Sequence, residues 1–289
     1  MKIEKLKEKF SDYMNDSEYP ESTVKGYLVD VDQFVDYLKL KGFKLVKEVE
    51  LSDVQNYIEE LHASNYAPRS IARKINALKV LFSYLENKKV IAEDFVKDIK
   101  HPKLVDALPR VLDDKELSRL REAVAEDEKY SAILETLLQT GMKIGELAKL
   151  KMEDVELVAG PKFGEVRVVE KEGERVIPIN NAMEAVIENY IESRPNNSSD
   201  FVFVTRNGKK IPERNIRRKL QEYFKKAGIT NVMVNDLRNT FVAHQLMKGM
   251  SIGRVAYLVG YKNLSSMNKF VKILEGKIHP EDEWTIEEV

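Results

Sequence analysis

The sequence predicts a mainly α protein of two helical domains, the second carrying a small three-stranded β-sheet. Two observations carry this. Apolar residues recur at helical spacing through most of the chain, and the one clear alternating pattern is a pair of valine-rich runs around a Gly-containing turn, "GEVRVVEKEGERVIPI". A third, the proline-punctuated and aperiodic "HPKLVDALPRVLD", marks a break between them. At 289 residues and 43% hydrophobic content the chain can bury more than one core, since single cores seldom grow past about 250–300 residues. The expected division is a helical domain over 1–100, a linker over 101–112 and a mixed domain over 113–289.

In the first domain, "STVKGYLVDVDQFVDYLKLKG" reads as a helix capped by Ser22 or Thr23, with Tyr27, Val31, Phe34 and Leu38 on one face and a stop at Gly42. "LSDVQNYIEELHAS" repeats the logic with Ser52 as cap. "APRSIARKINALKVLFSYLENKKV" is a third helix, with Ile71, Ile75, Leu78, Leu81 and Phe82 inward and its basic residues outward. The second domain should hold helices at about 114–124 and 130–139, a break at Gly141, and a helix through "IGELAKL". The hairpin follows, then a helix near 182–193, a third strand "FVFVT", and helices at 213–227, 236–248, 252–258 and about 265–274.

Composition removes several chemistries. The chain has no cysteine, and its four histidines, His62, His101, His244 and His279, show no metal-ligand spacing. No metal or other cofactor is expected. No run of about 18 apolar residues is present, and "MKIEKLKEKF" lacks the apolar stretch of a signal sequence. The expectation is a cytoplasmic protein without membrane contact, nucleoid-associated if the source is prokaryotic.

Net charge is −1, but its arrangement is uneven. Residues 16–60 are acidic, whereas the third helix carries Arg69, Arg73, Lys74, Lys79, Lys88 and Lys89 against Glu86 alone. A second basic block, "RNGKKIPERNIRRKLQEYFKK", sets nine Lys or Arg against Glu213 and Glu222. A single charge run is as well explained by a solvated helix face. Two blocks in two domains fit a phosphate-lined groove better. Double-stranded DNA is the expected partner, with Lys25, Arg69, Ser70, Arg73, Lys74 and Lys79 as contacts from the first domain. The second would contribute Arg206, Lys209, Arg214, Arg217, Arg218 and Arg238.

Two local motifs sharpen this. "TGMKIGELAKLKMEDV" resembles the first signature of the tyrosine recombinases, the phage integrase family, in which a helix break precedes Arg, two residues and Glu. "VNDLRNTFVAHQLMKGMSIGRVAYLVGYKNLSSMNKF" resembles the second: His, two residues, Arg, then Leu-Gly-His with the nucleophilic tyrosine nine residues on. The likeness covers nearly the whole chain, because 20–100 resembles the family's helical core-binding, SAM-like domain. It implies a catalytic-like second domain and a clamp around duplex DNA. In the family two arginines hold the phosphate, a hairpin lysine and two histidines (or a tryptophan) assist, and tyrosine attacks to form a 3′-phosphotyrosine, with neither ATP nor metal required. Such a site must supply an oxygen nucleophile, cations for the transition state and a proton for the leaving oxygen.

Transferred position by position, those roles fall on altered residues. The first arginine is Lys143, which keeps the charge and loses the planar fork, while Glu146 matches. The hairpin lysine falls on Lys171 or, one residue earlier, Glu170. The first histidine is Asn235, which donates a hydrogen bond but does not transfer protons near neutral pH. Arg238 is kept, the later histidine is Tyr261, and the nucleophile is Phe270. Phenylalanine has no oxygen with which to attack. The resemblance therefore implies a DNA-binding protein of recombination or integration whose cutting chemistry is lost, serving as an accessory, regulatory or architectural factor. The alternatives are a working recombinase or topoisomerase that uses Tyr261, and a protein-interaction module without DNA. Ordinary structural roles stand beside each assignment: Asn235 as a helix N-cap, Arg238 as a charge near a helix start, Tyr261 and Phe270 as packed aromatics. The final segment, with Trp284 in an acidic tail, is where family members dock onto a neighbouring subunit, which suggests self-association or association with an active recombinase; an unstructured tail fits the same residues equally well.

Overall fold

The computed structural model describes residues 1–103, 108–157, 164–170, 173–195 and 199–275, and the chain divides into two compact units, Met1–Val105 and Asp106–Val289. The first is built from α1 (Leu6–Asn15), α2 (Glu21–Leu40), α3 (Leu51–Ala63) and α4 (Pro68–Asn87). Helical spacing of large apolar side chains makes its core: Phe10, Val31, Phe34, Leu38, Ile71, Ile75, Leu78 and Phe82 are buried in one cluster. Neither predicted serine cap is used. Helix α2 begins one residue before Ser22, behind Pro20, and at α3 the Asp53 carboxylate reaches back to the Glu50 N–H at 2.8 Å. A carboxylate three residues into the helix does the work expected of a hydroxyl at its start. The basic residues of α4 do not all face out, because Lys74 is buried on the same side as Ile71, Ile75 and Leu78.

The second unit runs α5 (Asp114–Val124), α6 (Glu128–Thr140), α7 (Ile144–Leu147), β1 (Val155–Glu156), β2 (Glu165–Glu170), β3 (Gly173–Pro178), α8 (Asn181–Ser193), α9 (Glu213–Lys226), α10 (Val234–Met247), α11 (Ile252–Val259) and α12 (Asn268–Glu275). The sheet is antiparallel in the order β1–β2–β3, with Val166 opposite Ile177 and Glu170 opposite Gly173. The predicted hairpin is therefore present, but the third strand is β1 and not "FVFVT". The latter makes only isolated bridges, Lys151 to Phe201 and Val204 to Lys210, and its Val202, Phe203 and Val204 are buried. Helix α10 is the centre of this unit and packs against α6, α9, α11 and α12. It is not amphipathic: Leu237, Arg238, Asn239, Thr240, Phe241, Val242 and Ala243 are all buried. Its polar members are held locally, Thr240 donating to the Asp236 carbonyl at 2.7 Å and accepting from the Leu112 N–H at 3.0 Å. Among the described residues, no helix is long and apolar enough to cross a membrane.

Helix α6 ends at Gly141, which takes a left-handed conformation, φ 61°. A Cβ built there would lie 2.4 Å from Phe241 Cδ1 and 2.9 Å from Val259 Cγ1. Gly141→Ala should therefore cost about 2–5 kcal/mol, the strain of left-handed alanine plus overpacking. Gly249 supplies the control, since its φ is 83° and nothing lies within 4 Å of its Cβ direction. Gly249→Ala should cost only the backbone part, about 1–2 kcal/mol. Urea unfolding of the two variants should show this gap, and equal losses would remove the packing contribution.

Candidate functional site

The residues of the two quoted motifs meet where α6, β3, α10 and α11 end or cross. Arg238 lies one turn into α10 and is 4% exposed. Its Nη1 donates to the Gly141 carbonyl at 2.6 Å and its Nη2 to the Val259 carbonyl at 2.5 Å. Those carbonyls belong to the C-terminal ends of α6 and α11, where backbone acceptors lack helical partners and the helix dipole favours a cation. The Tyr261 ring covers the same guanidinium, 4.8 Å from Cζ to the ring centroid. Tyr261 itself is placed by its N–H, which donates to the Ala256 carbonyl at 2.9 Å, just past the left-handed Gly260.

A second buried arginine, Arg175, stands beside it. Alternation on β3 turns Arg175 and Ile177 to the covered face. Arg175 donates through Nε to the Leu258 carbonyl at 2.9 Å and through Nη2 to Glu146 Oε2 at 2.6 Å. A Cβ on Gly260 would sit 2.9 Å from its Nη1, so glycine is needed there for space as well as for its φ of 68°. Glu146 also accepts the Lys143 N–H at 2.8 Å, and the Lys143 ammonium lies 3.0 Å from its Oε1. Burial alone would raise the Glu146 carboxyl; Arg175, the Lys143 N–H and the Lys143 ammonium outweigh it and hold the group below the ordinary carboxylate range. Gly173, Glu174, Arg175, Ala256, Tyr257, Gly260, Tyr261 and Lys262 line a cavity of about 280 Å³ against this cluster.

Lys143, Arg238 and Tyr261 therefore come together with Glu146, as the motif spacing implied. Arg175 was missed. A charged residue at an inward position of a strand was the available signal. Lys171 lies outside the described residues. Asn235 is exposed in the first turn of α10 and is not its N-cap: Met233 occupies that place, its N–H donating to Asp236 Oδ2 at 2.7 Å. Phe270, on α12, is 0% exposed and belongs to the core of the unit, with Lys269 Nζ 5.1 Å from its ring centroid. Among the described residues no cluster of His, Cys, Asp or Glu could hold a metal ion.

The match to known proteins is broad. The phage integrase family model covers residues 110–276, and the model of the phage integrase N-terminal SAM-like domain covers 8–89. The chain belongs to the phage integrase family. Among this family's members it is 32% identical to the tyrosine recombinase XerC of Staphylococcus carnosus, over 88% of each chain. It is 28% identical to a tyrosine recombinase of Pseudothermotoga lettingae, over 94% of this chain and 95% of that one. Its fold is similar to that of a lambda integrase dimer bound to a COC′ core site, with TM-score 0.75, 14% identity and full coverage of both chains. It is also similar to the XerH recombinase bound to difH substrate, TM-score 0.71 and 17% identity, over 88% of this chain and 78% of that one.

The cations expected to meet DNA separate into two classes. Lys25, Arg69, Arg73, Arg206, Lys209, Arg214, Arg217 and Arg218 are exposed, while Ser70 and Lys79 are half-buried. Some already have partners: Lys25 with Glu21 at 2.5 Å, Arg217 with Glu213 at 2.8 Å and Arg218 with Glu222 at 3.6 Å. Such exposed pairs contribute little and yield readily to a competing anion. Lys74 and Arg238 differ, since both are buried and bonded within the protein. Neither is a surface contact in this state.

The Glu146 cluster carries a pH signature. Because its folded carboxyl ionises below the ordinary value of about 4.3, it adds stability above that pH and loses it as pH falls through the folded value. Glu146→Gln should lower stability at pH 7 and flatten its fall below about pH 4.5. Parallel acid-side curves for the two proteins would show that the ion pairs contribute nothing.

Proposed function

We propose that this family member binds duplex DNA and acts in recombination or integration without cutting, as an accessory, regulatory or architectural partner in the cytoplasm. Phe270 carries the reading. The position that the motif assigns to the attacking oxygen holds a hydrocarbon ring with no exposed surface. Arg238 supports it, because its donors close two helices and are not presented to solvent. Lys143 and Asn235 depart from the same pattern, one in hydrogen-bond geometry and one in proton transfer. Loss of one proton-transfer group typically slows such a step by about 10²–10⁴-fold. Loss of the nucleophile ends it.

Binding does not need those groups. Phosphate contact requires only positive side chains and backbone donors, and exposed cations stand on α4 and α9 and in the turn after Phe203. The relatives named above are recombinases, and the structural neighbours were captured on a COC′ core site and on difH substrate. Residues 276–289 lie outside the described residues; their proposed role is docking on another copy or on an active recombinase.

Two measurements test the proposal together. Duplex binding should be strong near 50 mM salt and fall steeply with added salt; no affinity there would favour a protein-interaction module. On nicked suicide substrates no covalent protein–DNA band should form, and a band that vanishes in Tyr261→Phe would establish Tyr261 as a working nucleophile. Phe270→Tyr should remain inactive, because its hydroxyl would start inside the core and the other substituted positions would be unchanged. Strong cleavage by that single variant would show that the rest of the site is competent.

A further inference from the structure

The first unit holds a charged group that no role above explains. Asp30, on α2, is 1% exposed. Its Oδ1 accepts Lys74 Nζ at 2.8 Å and its Oδ2 accepts Arg73 Nη1 at 2.5 Å. Lys74, itself 4% exposed, also donates to Gln33 Oε1 at 2.5 Å and lies 5.3 Å from the Tyr66 ring centroid, while Gln33 Nε2 donates to the Tyr66 hydroxyl at 2.9 Å. Arg73 Nη1 donates again, to the Gly26 carbonyl at 3.1 Å. Yet the Arg73 side chain is 46% exposed, and its Nε and Nη2 have no partner among the described residues.

We propose that Arg73 reads a guanine edge in duplex DNA through its Nε–Nη2 side, and that Asp30 is the buried residue that positions it. This rests on the DNA binding proposed above. One side of the guanidinium is fixed by a buried carboxylate and a main-chain carbonyl, so the other side presents two parallel N–H donors in a set direction. That geometry fits a pair of acceptors, the O6 and N7 of guanine in the major groove. A phosphate offers paired acceptors too, and the arginine fork fits it as well. Asp30 is shared between Arg73 and Lys74, so the three groups keep one net positive charge and charge does not separate the two ligands. The neighbouring surface does. Val29 is 65% exposed, on the helical stripe of α2 that also holds Gly26 and Gln33. An exposed apolar side chain beside a directed arginine suits contact with a thymine methyl group and gives a phosphate nothing.

The test is selection of bound duplexes from a randomised 30-base-pair pool of roughly uniform composition, using the full chain, at an ionic strength where counterion-driven binding is weakened. The wild-type protein should enrich a motif with a guanine that discriminates by about 5- to 150-fold. In Arg73→Ala and Arg73→Lys that one preference should fall to near parity, with the rest of the motif retained. Asp30→Asn leaves Lys74 buried without its partner, so the charge-balanced pair Asp30→Asn with Lys74→Met is made beside it. The pair should melt near the wild type and lose the same single preference. An unchanged motif, with uniformly weaker binding and a salt slope lower by about 1, would make Arg73 a phosphate ligand and overturn the proposal. Failure of the wild type to bind any duplex would instead overturn the DNA-binding reading beneath it.

Discussion

A single guanidinium closes two helices at once. Helices α6 and α11 both end in a left-handed glycine, Gly141 and Gly260, and the carbonyls of Gly141 and Val259 both accept from Arg238. Because Arg238 sits in α10, the central helix of the unit, this fixes where three helices meet. The short α7 and the β3 edge then follow. Glu146, within α7, pairs with Arg175 from β3, and Arg175 grips the same terminus of α11 one carbonyl earlier, at Leu258. The cavity beside Tyr257 and Tyr261 is the space those constraints leave. Its polar and aromatic walls are Glu174, Arg175, Lys262 and the rings of Tyr257 and Tyr261.

Much of this was legible in the sequence. Every predicted helix exists, because long 3.6-period runs report a buried face directly. The hairpin was legible for the matching reason, alternation around a Gly-containing turn. Several failures share a cause: they depend on partners far away in the chain. "FVFVT" is apolar because it is buried, and a buried segment without ladder partners looks the same as a strand. Strand β1, two residues long, carries no pattern to see. Lys74 falls on the inward row of α4 by spacing, but its charge pointed outward until Asp30, on another helix, was known.

At the site the motif frame located Lys143, Glu146, Arg238 and Tyr261 together, yet it said nothing of how they are used. Arg238 read as a phosphate ligand because the pattern records residue type, whereas the acceptors it meets are main-chain carbonyls that no side-chain pattern encodes. Asn235 read as a possible cap for a similar reason. The cap is made by Asp236 to the N–H of Met233, a residue whose own side chain takes no part. Arg175 was hidden in the hairpin, where a charged residue facing inward needs a buried counter-charge, and Glu146 lies 29 positions before it.

The double closure at Arg238 also decides which positions of the site the fold can spare. Lys143 and Asn235 are exposed, and their side chains carry little of it. An arginine that ties the ends of two helices has no such freedom, since its removal leaves two buried carbonyls without donors. The residue at this junction is thus set by folding, whether or not the chain cuts DNA.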